Sequence, residues 1–257
     1  MISELLLILE LLLLLVAASL GTYTSGAENS SSPLTCTSVP YPFGISGKAL
    51  KGFEISCNGN SPILHLGKHT YEIETISLLQ GNLIIYASAI ARGCEGNFIR
   101  GSGWINLEGT PYTISDTQNM LTMVGCDDLA IIKGSRSNLT SGCVTFCDSV
   151  HSVVMSGRCS GLGCCQASIP KGLKSFNLTF GKPGNLINAV FNSTAGSQAF
   201  LVNQNSFTFS SEKLWGGVYH NQTFQVVLDW AIGKEQKSEK EEGNLRLQGE
   251  QLLSRFN

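Results

Sequence analysis

Phe176-Asn177-Leu178-Thr179-Phe180 alternates apolar and polar side chains without a break. An extended chain sends successive side chains to opposite faces, so this run buries Phe176, Leu178 and Phe180 and turns Asn177 and Thr179 to solvent. It reads as one strand of a sheet with a covered face. Similar short runs, rich in β-branched and aromatic residues, recur at 53–57, 63–66, 71–76, 83–89, 130–132, 143–146, 175–180, 199–202, 207–209 and 224–228, separated by Gly, Pro, Asn and Ser. Gly81-Asn82 between two apolar runs marks a hairpin. Amphipathic helical spacing is almost absent. The expected fold is all-β: disulfide-stabilised antiparallel sheets in two β-rich subdomains, residues 36–125 and 126–232, which are two parts of the same domain divided near Gly125.

Cysteine usage points to an oxidising compartment. All nine cysteines lie in one stretch, at Cys36, Cys57, Cys94, Cys126, Cys143, Cys147, Cys159, Cys164 and Cys165, a density that a reducing cytosol disfavours. An odd count leaves one thiol unpaired, and pairing the other eight allows on the order of a hundred connectivities. Adjacent cysteines bond each other only with strain, so Cys164 and Cys165 are expected to reach different partners. A zinc site would favour matched Cys-x-x-Cys pairs or a histidine pair, and only His151 stands near the 143–165 cluster. No metal is expected.

The first 27 residues hold an apolar run, Leu5 to Leu20, followed by small and polar residues, which is signal-peptide architecture; the alternative is an uncleaved membrane anchor. N-x-S/T sequons stand at Asn29, Asn138, Asn177, Asn192 and Asn221, fitting glycosylation of an exported chain. With 257 residues, 42% hydrophobic content and a formal charge of −2, the chain can bury a real core and lacks the basic excess of a nucleic-acid binder. Residues 233–257 turn abruptly to mixed charge and are expected to be a solvated tail.

Enzyme chemistry finds little purchase. The chain carries no Gly-rich loop before a V-A-I-K-like strand, no His-Arg-Asp, no Asp-Phe-Gly and no Gly-x-Ser-x-Gly, which excludes a kinase and disfavours a serine hydrolase. A glycosidase needs two facing carboxyl groups. Asp127 and Asp128 are adjacent and would diverge on an extended chain, while Glu72 and Glu74 share the ordinary solvent face of a strand.

Several blocks resemble a known family. Val39-Pro40-Tyr41-Pro42-Phe43-Gly44-Ile45 is similar to the IPYPFGI opening of the galacturonan-binding extracellular domain of plant wall-associated receptor kinases. Ser141-Gly142-Cys143 and the run from Cys159 through Cys164-Cys165-Gln166 to Ile169-Pro170-Lys171-Gly172-Leu173 resemble that family's SGC and CSGIGCCQTSIPKGL blocks. Gly125-Cys126-Asp127, Ala199-Phe200-Leu201-Val202, Ser206-Phe207-Thr208-Phe209 and Val226-Val227-Leu228-Asp229-Trp230-Ala231-Ile232 match further blocks in order. Two departures stand out: no cysteine stands just before the Ala199 block, in residues 192–198, and only Cys36 precedes Tyr41. The family's EGF-like repeats, transmembrane helix and kinase have no counterpart here, so the resemblance is to a truncated, kinase-less member.

The resemblance implies an acidic cell-wall polysaccharide, pectin or its oligogalacturonides, as ligand, with no cofactor and with calcium entering only as a bridge to pectin. Carboxylate-bearing sugars call for cations, arginine above all, and an aromatic platform. Arg92 and Arg100 bracket Cys94, with Trp104 just beyond, and form the leading candidate edge; Lys48, Lys51, Lys171 and Lys174 are further candidates, whereas Tyr41 and Phe43 read as core or turn-packing residues. The competing reading is an interaction protein, a decoy or co-receptor fragment that partners full-length receptor kinases. Either reading places the protein outside the cell, in the extracellular space or cell wall.

Overall fold

A computed structural model describes residues 33–93, 99–102, 105–135, 139–147, 157–181, 197–215 and 222–233. The signal-like segment, the charged tail, Cys94, Trp104 and the sequons at Asn29, Asn138, Asn192 and Asn221 lie outside them. Among the described residues the strands are β1 (Ile55–Asn58), β2 (Ser61–Leu66), β3 (His69–Ser77), β4 (Asn82–Ser88), β5 (Ala91–Gly93), β6 (Ile99–Ser102), β7 (Tyr112–Ile114), β8 (Asn119–Val124), β9 (Leu129–Gly134), β10 (Thr140–Val144), β11 (Cys164–Ser168), β12 (Phe176–Gly181), β13 (Ser197–Asn203) and β14 (Thr223–Trp230), with one short helix, α1 (Ser211–Trp215).

They form a six-stranded sheet in the order β1-β2-β3-β4-β14-β7 and two four-stranded sheets, β10-β9-β12-β6 and β11-β8-β13-β5. Neighbouring strands run antiparallel throughout. The Gly81-Asn82 hairpin forms as expected, pairing Ser77 with Asn82. β12 is the alternating run: Phe176, Leu178 and Phe180 are buried and Asn177 is exposed.

Gly125 does not separate the sheets into two groups. β14 lies between β4 and β7 of the first half, β6 pairs with β12, and β5 and β8 both pair with β13. One core draws on all three sheets, from Phe43 and Phe53 through Leu121, Ile132 and Phe180 to Leu228. The two halves are therefore interleaved parts of one domain. Hydrogen bonding is satisfied between segments far apart in sequence, which a boundary drawn on cysteine density does not register.

A second, smaller cluster lies against the other side of β13, where Phe200 and Val202 meet Val124, Phe209, Leu214 and Phe224. Every residue of β13 is buried, because Ala199 and Leu201 face the main core and Phe200 and Val202 the smaller one. That double burial explains the unbroken apolar run at Ala199-Phe200-Leu201-Val202. The expected strand at 207–209 is absent apart from a single bridge from Phe209 to Gly157. Conversely, β5, β6, β7, β8 and β11 lacked a clear signal.

Eight cysteines are paired: Cys36–Cys57, Cys126–Cys147, Cys143–Cys165 and Cys159–Cys164. Cys164 and Cys165 do take different partners. They are consecutive on β11 and point to opposite faces, Cys164 into the smaller cluster and Cys165 into the main core.

Candidate functional site

The loop carrying Tyr41, Lys48 and Lys51 gathers an aromatic ring and two exposed cations. The Leu50 N–H donates to the Pro42 carbonyl at 2.9 Å, Phe53 N–H to Leu50 at 2.9 Å, and Ile55 N–H to Gly44 at 3.0 Å. These bonds fold the chain back on itself. Phe43 then points inward, 2% exposed, against Phe53 at 5.2 Å and Trp230 at 5.5 Å between ring centroids. Tyr41 stays 46% exposed, on the turn itself. The turn separates two rings that sit only two positions apart in sequence.

The remaining cation candidates lie on other elements. Lys171 is exposed on the turn between β11 and β12. Lys174 is half-buried, and its Nζ donates to the Thr110 carbonyl at 2.6 Å, which ties it to the 105–114 segment. Arg92 occupies edge strand β5, opposite Gln198, and Arg100 occupies edge strand β6, opposite Thr179. The two arginines thus belong to different sheets. Their side chains, with Cys94 and Trp104, lie outside the described residues.

Sequence reasoning passed over a second exposed apolar feature. Phe146 is 47% and Leu162 39% exposed, and the two are joined by a parallel bridge. Exposed Arg158 directly precedes Cys159 in the same cystine-rich region. The available signal was a large aromatic residue one position before Cys147, in a run with no alternating pattern to bury it.

The carboxylates take structural roles. Asp127 has a φ of 58° and is not extended as expected; its Oδ1 accepts the Cys147 N–H at 3.2 Å. Asp128 is buried and accepts a hydrogen bond from the Ser197 hydroxyl. Glu72 is exposed, but Glu74 sits at a register shift in β3, where its Oε1 accepts from Gln225 Nε2 at 2.8 Å. Burial pushes the Tyr86 phenol up, and a hydrogen bond to Glu74 adds to the rise. Among the described residues no group of three His, Cys, Asp or Glu side chains is arranged to hold a metal, and no helix is long and apolar enough to cross a membrane.

No family model matches the chain, and no solved structure matches it. Among curated proteins it is similar to wall-associated receptor kinase 2 of Arabidopsis thaliana, 30% identical over 213 residues, covering 76% of this chain and 26% of the relative. Wall-associated receptor kinase 4 of the same plant is 31% identical over 219 residues, covering 78% of this chain and 28% of the relative. Wall-associated receptor kinase-like 4 is 31% identical over 152 residues, covering 52% of this chain and 20% of the relative. The chain thus spans little more than a quarter of the length of the first two. The matching part is extracellular and not the kinase domain. With its all-β, disulfide-bonded fold, the chain belongs to the wall-associated receptor kinase family, as a domain of that family's extracellular type.

Proposed function

We propose that this chain is a non-catalytic extracellular module that binds acidic cell-wall polysaccharide, pectin or its oligogalacturonide fragments, in the extracellular space or cell wall. The observation that carries the reading is its similarity to wall-associated receptor kinases over about three-quarters of the chain. The chemistry of its surface is compatible. Lys48, Lys51 and Lys171 are exposed, and Tyr41 offers a ring on the same loop as the first two. Single exposed ion pairs contribute little, so affinity would come from several contacts along one polymer. A formal charge of −2 gives no long-range pull on a polyanion. Recognition must then be local.

Calorimetry of the full, oxidised chain against unesterified oligogalacturonides, with and without calcium and across a salt series, tests this. Saturable binding that weakens with added salt is the expected result. A folded, monomeric chain that binds none of them would discard the reading in favour of a partner of full-length receptors.

A further inference from the structure

We infer that Phe146 and Leu162 form a contact shelf for a uronate ring, with Arg158 at its border to take the carboxylate; this rests on the polysaccharide-binding reading and names a site for it. Exposed apolar side chains are common one at a time, but these two are adjacent and their backbones are fixed to each other. Phe146 N–H donates to the Gly161 carbonyl at 2.8 Å, and Gly163 N–H donates to the Phe146 carbonyl at 3.2 Å. Disulfides then hold both chain segments. Cys147, next to Phe146, is bonded to Cys126; Cys143, three positions before it, is bonded to Cys165; and Cys164, two positions after Leu162, is bonded to Cys159.

A surface prepared in this way gives up little conformational freedom when a ligand settles on it. Its composition selects the ligand. The C–H face of a pyranose ring packs against an aromatic face, and a guanidinium takes a carboxylate through two parallel hydrogen bonds, which a lysine does not reproduce. Arg158 is exposed. The 159–164 disulfide holds the chain next to Arg158 to the chain next to Leu162. Leu79, by contrast, is 98% exposed at the tip of the β3–β4 hairpin, an aliphatic side chain without a ring to stack on. An open shelf fits lateral contact with a polymer better than capture of a chain end.

The test is calorimetry of the full oxidised chain against an unesterified oligogalacturonide. Phe146→Ala and Arg158→Ala are each expected to weaken Kd roughly tenfold, with a melting temperature equal to that of the wild type because both side chains are exposed. Arg158→Lys should fall between wild type and Arg158→Ala, and Leu79→Ser should bind as the wild type does. Phe146→Leu keeps apolar bulk without the ring and replaces Phe146→Ala if alanine disturbs folding. Saturable wild-type binding that neither ring removal nor Arg158→Ala changes would overturn the shelf and leave the polysaccharide reading intact. Absence of binding by the folded wild type would overturn both. Loss of receptor binding in place of saccharide binding in the Phe146 variants would make the shelf a protein contact, and would overturn the inference as well.

Discussion

Gly125 has a φ of 145°, and a Cβ placed there would lie 2.5 Å from the Cβ and 2.9 Å from the Cα of Ser197. Both the backbone conformation and the space exclude a side chain. Gly44 is excluded differently: its added Cβ would meet backbone atoms of Lys48 and Ala49 at 2.8 Å. These family-like glycines therefore serve chain packing. Gly125→Ala should lower stability by about 2–4 kcal/mol, read from the shift of the urea midpoint at constant slope. Asp229 offers a pH-dependent counterpart. Burial raises its carboxyl above the ordinary value, a hydrogen bond from Ser115 lowers it, and the charge of Asp116 raises it. A carboxyl whose folded pKa exceeds its unfolded value favours the folded chain below the unfolded pKa, and that contribution is lost as pH rises through the folded pKa. Asp229→Asn should therefore raise the melting temperature at neutral pH. The gain over wild type should shrink as pH falls toward about 4, in paired thermal melts.

At the level of elements, β8 is joined to β14 by one side chain. Asn119 is 1% exposed; its Nδ2 donates to the Val227 carbonyl at 2.7 Å and the Ser115 carbonyl at 2.9 Å, while its Oδ1 accepts the Val227 N–H at 2.8 Å. The amide thus acts as a strand-like partner between the six-stranded sheet and the β11-β8-β13-β5 sheet. Asn119→Asp would set a carboxylate against two carbonyl oxygens in a buried place. A loss of about 3 kcal/mol is expected at neutral pH, partly recovered on acidification as the carboxyl regains a donor, measured by denaturant titration at two pH values. β13 makes the complementary point with apolar chemistry. Phe200 stacks on Phe224 at 3.7 Å between centroids, 4° from parallel, so a residue of β14 also closes the smaller cluster.

For the molecule as a whole, β14 completes the sheet it enters. β14 supplies Val226 and Leu228, both fully buried, and fills the position between β4 and β7. Removing residues 223–257 would expose both ladders and open the main core, and circular dichroism should show no cooperative melting transition. Removing only residues 234–257 should leave the melting temperature within about 2 °C of the full chain, since its first part, residues 234–242, carries no apolar side chain and sets the rest of the segment apart in sequence from β14. The same long-range closure gives a rigid frame to surface features that lie far apart in sequence.

The alternation at 176–180, the hairpin at Gly81-Asn82 and the different partners of Cys164 and Cys165 were legible in the sequence because each depends on local geometry: the pleat, a turn, or the reach of adjacent side chains. Family membership was legible for a related reason, since its blocks hold the cysteines and glycines on which this packing depends. The interleaving of strands from the two sides of Gly125 was not legible, and β8 with its buried Asn119 gave little warning. Those features depend on which distant strand lies alongside. Likewise, only the tertiary structure brought Phe146 beside Leu162, assigned Arg92 and Arg100 to the edges of different sheets, and occupied Lys174 with a carbonyl. Local residue pattern dictates which way a side chain leaves its strand; long-range pairing decides what it meets there.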